Sequence, residues 1–147
     1  MSLEEEQLAA DPIIFWGYDL GPPILSDPVV QQETLVDRLG SDGKWRSPHV
    51  VVNVIFFTQN EIHSLRKFVS LVSEAYTDKK DEFAYKHVAG ISSDKEEFTR
   101  PGTNEKIYSN VVVLRSGGER FNFYAIDNET AERAENALKS MWRQKNT

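Results

Sequence analysis

Apolar positions along the chain recur with two periods, and each period points to a kind of element. Val29, Val36 and Leu39 mark one face of a segment that Asp27 can cap and that Pro28 can open, since a missing N–H is harmless at the first helical position. Gly40 is a natural helix stop, so a helix is expected over 28–39. Thr58-Gln59-Asn60-Glu61 has the form of a capping box, a hydroxyl three residues ahead of a carboxylate. Behind it Ile62, Leu65, Val69, Val72 and Tyr76 follow at spacings of 3, 4, 3 and 4, which predicts an amphipathic helix over 59–77. A third helix is expected over 128–144, capped by Asp127, with Ala131, Ala134, Leu138 and Met141 in a narrow stripe beside Trp142.

The rest of the pattern is strand-like. Ile13 to Trp16 is a short apolar run that stops at Gly17. Val50 to Phe57 reads VVVNVIFF, β-branched and aromatic on both faces, as a central strand covered on both sides would. Phe83, Tyr85, His87, Ala89 and Ile91 alternate with period two. After a polar connection over 92–104 with Pro101-Gly102 as a turn, Ile107 to Arg115 and Phe121 to Ile126 form a hairpin closed at Gly117-Gly118. The order is β-α-β-α-β-β-β-α. It predicts an α+β fold, a mainly antiparallel sheet of about five strands with three helices packed against it. The acidic residues 1–10 are expected to be a flexible tail and 11–147 a single α+β domain. The closing aromatic strand and C-terminal helix resemble the ending of pleckstrin-homology-like barrels, and that resemblance, confined to the ending, implies such a barrel as an alternative fold.

Composition narrows the function classes. The 147 residues make about one domain, and 39% apolar with 11% aromatic content can fill its core rather than leave it disordered. Cysteine is absent, which removes disulfides, cysteine-ligated zinc, iron–sulfur ligation and thiol chemistry. The net charge is −6, and Lys/Arg clusters do not exceed Arg66-Lys67 or Lys79-Lys80, so nucleic acid is not an expected partner. An acidic chain suits a basic surface on another protein. The start, MSLEEEQLAA, lacks the basic and apolar segments of a signal peptide, and no run approaches the roughly 20 apolar residues of a spanning helix. No membrane partner is expected, and the protein is expected in the cytoplasm.

Little chemistry is written in motifs. His49, His63 and His87 lack metal-ligand spacing, so no metal and no cofactor are expected. The carboxylate runs Glu96-Glu97 and Asp81-Glu82 read as solvated segments, and no serine stands in G-x-S-x-G form, so no catalytic residue is assigned. Ser116-Gly117-Gly118 lies between two strands, whereas a phosphate cradle leads into a helix. Asn53 is a polar side chain inside the central strand, and Asn53, Tyr85 and His87 form a candidate pocket. The segment from Trp16 to Pro23 reads as a loop stiffened by Pro22 and Pro23, and Trp16, Tyr18, Asp19 and Leu20 are the candidate binding surface. The expectation is a non-catalytic protein-binding module, such as a complex subunit or an inhibitor or immunity-type protein. The alternatives are a small-molecule-binding domain or small enzyme with a pocket between sheet and helices, and a virion or assembly component.

Overall fold

The computed structural model describes residues 11–20, 38–39, 41, 45–99 and 104–145. The strands are β1 (Ile13–Tyr18), β2 (Arg38–Leu39), β3 (Trp45–Arg46), β4 (His49–Phe57), β5 (Glu61–Ser70), β6 (Tyr76–Ala84), β7 (Val88–Thr99), β8 (Lys106–Ser116) and β9 (Glu119–Ala125). A helix, α1 (Asn128–Lys145), closes the described chain. Seven strands form two antiparallel sheets, β1-β4-β5-β6 and β7-β8-β9, and β2 pairs with β3 in a short ribbon. The protein is mostly β with one α-helix among the described residues. The expected five-stranded sheet with three interleaved helices is therefore corrected.

The helix expected over 59–77 is instead β5, the turn after it and the start of β6. The local signals were real, but they serve a hairpin. The Glu61 N–H donates to Thr58 Oγ1 at 3.2 Å, the bond a capping box would make. The Thr58 N–H, however, donates to the Glu61 carbonyl at 2.9 Å and turns the chain back along β4. The helical spacing arose because β5 carries apolar residues on both faces. Ile62 and Phe68 point into the core, while Leu65 and Val69 stand opposite Val54 and Val50 on the other face. Of the helix expected over 28–39, residues 28–37 lie outside the described residues, and Arg38 and Leu39 are strand. The strand expected from Phe83 to Ile91 is broken by a 3₁₀ turn at Tyr85–His87, which carries the chain from the first sheet into the second.

The later elements follow their signals. Gly117 and Gly118, at φ of 61° and 79°, supply the two left-handed positions that a tight hairpin between right-twisted strands requires. Asp127 Oδ1 accepts the Thr130 N–H at 2.7 Å and so satisfies a free donor at the start of α1. Replacing Asp127 with Ala is expected to cost about 1 kcal/mol, read as a lower melting midpoint in urea with an unchanged slope. The ending behind the pleckstrin-homology resemblance is present as β9 followed by α1.

One core joins both sheets to the helix. Phe15, Ile55, Phe57, Ile62 and Phe83 of the first sheet meet Val112, Leu114 and Phe123 of the second, and Ala131, Ala134 and Leu138 of α1 cover them. The alanines let the helix backbone approach closely. Ser93 Oγ donates to Glu135 on α1, whose carboxyl is held below its usual range by hydrogen bonds from Lys139 and Ser93. The free edge of β9 lies against the first sheet, and its carbonyls are claimed by side chains there. Asn53 Nδ2 donates to the Tyr124 carbonyl at 2.9 Å, and Arg66 Nη1 donates to the Asn122 carbonyl at 3.0 Å. Arg66 also pairs with Asp81 at 3.0 Å and lies 5.2 Å from the centre of the Phe123 ring. These bonds occupy an edge that would otherwise invite pairing with another chain.

Candidate interaction face on the four-stranded sheet

Antiparallel register decides which side chains share a face of the first sheet. Ile14, Trp16 and Tyr18 on β1 stand opposite Val54, Val52 and Val50 on β4. Those valines stand in turn opposite Leu65, Lys67 and Val69 on β5, and Phe56 stands opposite His63. Directly opposed residues project to the same side, so these positions share the face opposite the one that carries Phe15, Ile55 and Phe57, and within it Val50 and His63 are themselves buried. The sequence builds it because β4 is apolar at nearly every position and therefore offers valines to both sides.

Trp16 is 42% exposed and Ile14 68% exposed, although both are large and apolar. The Trp16 and Tyr18 rings meet edge to face with centroids 5.4 Å apart, and the Phe56 and His63 rings stack at 5.3 Å. Lys67 lies 4.8 Å above the ring of Tyr76 and so spends its charge against an aromatic face. Towards β6 the surface turns polar, with Asp78, Lys80 and Glu82 opposite Lys67, Leu65 and His63. The surface thus has an apolar centre on β1, β4 and β5 and a charged border on β6, as protein interfaces do. The charges of β6 also protect its exposed edge against unwanted strand pairing.

The four residues expected to bind together are divided by the fold. Trp16 and Tyr18 lie in β1 and share the outer face, whereas the sequence suggested a loop from Gly17 onward. Asp19 and Leu20 are buried beyond the end of the strand, and the Asp19 N–H donates to the His49 carbonyl at 3.0 Å. Pro22 and Pro23 lie outside the described residues. The residues that sequence reasoning missed are Ile14, Val52, Val54 and Leu65. Period-two alternation could have placed Ile14 beside Trp16, but only strand pairing brings in the others.

Asn53, Tyr85 and His87 are not brought together. Asn53 is fully buried on its bond to β9, with no partner for Oδ1. The Tyr85 hydroxyl donates to the Thr58 carbonyl at 2.7 Å, and burial pushes its pKa up to about 12, so it remains a donor at neutral pH. His87 is exposed. A cleft of about 420 Å³ next to Tyr85 is lined by Gln59, Asn60 and Lys145, and by neither Asn53 nor His87. Burial, followed by the neighbouring Glu96, raises the pKa of Tyr124, whose hydroxyl donates to that carboxylate at 2.9 Å. Among the described residues no group of three or more His, Asp or Glu could hold a metal ion, and no helix is long and apolar enough to cross a membrane. Set against known protein families, curated proteins and solved structures, the chain has no match.

Proposed function

We propose that the protein is a non-catalytic binding module that docks another protein on the outer face of its four-stranded sheet. The observation that carries this reading is the exposure of Trp16 and Ile14 in an apolar surface on β1, β4 and β5, whose charged side chains are Lys67 and, at the start of β5, Glu61 beside His63. Contiguous apolar surface of this kind marks interaction sites, and tryptophan is the residue most often found to dominate interface energies. The side chains stand on paired strands, so little ordering is needed when a partner arrives. The net charge of −6 selects a partner whose apolar contact is bordered by basic residues.

The test is a photo-crosslinking amino acid placed at Trp16, with Asn136 on the exposed side of α1 as the control position, in the native cell. The expected result is a discrete adduct with one other protein from position 16 and no such adduct from position 136. An adduct of twice the chain's mass would identify a second copy as the occupant and contradict the proposal, as would the same adducts from both positions.

A further inference from the structure

The start of β8 reads Lys106-Ile107-Tyr108-Ser109-Asn110 before the strand becomes continuously apolar. Alternation sends Lys106, Tyr108 and Asn110 to one side, and the register puts Lys95 of β7 directly beside Asn110. On that side the strands, the end of β1 and the N-terminus of α1 enclose a cleft of about 560 Å³. This lies within the range of small-molecule sites, roughly 300–1,000 Å³. Leu20, Tyr18 and Tyr108 give it apolar and aromatic walls.

The charge of the cleft runs against that of the chain. Among the described residues that line it, Arg46, Lys95 and Lys106 are basic and Asp127 is acidic, in a protein of net charge −6. Asp127 is already engaged in capping α1, and the helix adds the positive end of its dipole. Lys106 is paired with Glu97, so an incoming anion meets one competing carboxylate there. An independent observation concerns Asn110. Its Oδ1 is buried and has no hydrogen-bond partner. A buried acceptor left unpaired is costly, and a turn of the Asn110 side chain towards the cleft would bring it to a donor on a bound molecule.

We infer that this cleft binds a small organic anion of mononucleotide type: an anionic phosphate for the Arg46, Lys95 and Lys106 cations, a flat ring for the tyrosines, and a hydroxyl or N–H donor for Asn110. The site is distinct from the docking face, although Tyr18 borders both, and either could exist without the other. It is tested by calorimetric titration of the full chain with adenosine monophosphate, inorganic phosphate and adenosine, in the wild type and in Lys95→Glu. Lys95 is exposed, so the variant should keep the wild-type melting temperature. The expected result is saturable one-to-one binding of adenosine monophosphate, weakened at least tenfold in Lys95→Glu, with phosphate and adenosine each binding more weakly. No saturable binding, or undiminished binding to Lys95→Glu, would overturn the site. Equal affinity for phosphate and adenosine monophosphate would overturn the assignment of a ring-bearing ligand.

Discussion

Gly17→Ala is expected to destabilise the protein by about 3 kcal/mol, the upper end of overpacking costs, and to lower its melting temperature by roughly 6–12 °C. A Cβ at this position would lie 2.6 Å from the carbonyl carbon of Tyr124 and 2.7 Å from both the Tyr124 oxygen and the Ala125 nitrogen. Such distances are far inside van der Waals contact, and every atom met is backbone. Nothing can rotate aside, so β1 and β9 must separate. Separation would pull the Tyr124 carbonyl from Asn53, whose donor is fully buried. Gly90→Ala is the control, because a Cβ there meets nothing within 4 Å. Its effect should stay within about 0.5 kcal/mol, typical of surface changes. Equal losses for the two variants, measured by urea unfolding, would show that β1 does not cross β9 at Gly17.

The second large effect separates strand from helix in residues 61–70. Ile62 is fully buried, whereas Val69 is half-buried on the outer face. Ile62→Ala should cost about 3 kcal/mol, as deletions of buried aliphatic side chains do. Val69→Ala should cost less than about 1 kcal/mol, because the atoms removed are already partly in water. A helix would place both residues on one buried stripe and make the losses similar. The comparison of unfolding midpoints therefore tests the hairpin directly.

The same segment shows why parts of the fold could not be read locally. The capping-box residues do bond to each other, but a single backbone bond, Thr58 N–H to the Glu61 carbonyl, sends the chain into a strand. What favours the strand is pairing with β4 on one side and β6 on the other, and neither pairing is visible in a window of residues 59–77. The β8–β9 hairpin was legible because Gly117 and Gly118 supply the left-handed backbone its turn needs within two residues. The closing helix was legible because its cap and its stripe agree. In the sequence Gly17 marks the end of a strand, but its role is to let two backbones touch, and that depends on residues more than a hundred positions away.

The face proposed for docking was legible in part. Trp16 and Tyr18 stood out as aromatics beside glycine, and both lie on the outer face. Asp19 and Leu20 were grouped with them by adjacency alone, and the chain buries both once β1 ends. Leu65 joins the face through register with Val54, a relation between strands that sequence spacing does not encode. Asn53 stands out in the sequence as a polar side chain inside the central strand, but its partner, the Tyr124 carbonyl, is 71 residues away.

The docking face is tested most directly by the affinity of Trp16→Glu for the protein captured at position 16, measured alongside its thermal melt. Trp16 lies outside the core, so the variant should melt within a few degrees of the wild type. Its affinity should fall at least about tenfold, equivalent to roughly 1.4 kcal/mol, because a charge would replace the largest apolar contact of the face. A folded Trp16→Glu protein that binds its partner as tightly as the wild type would contradict the outer face as the binding surface.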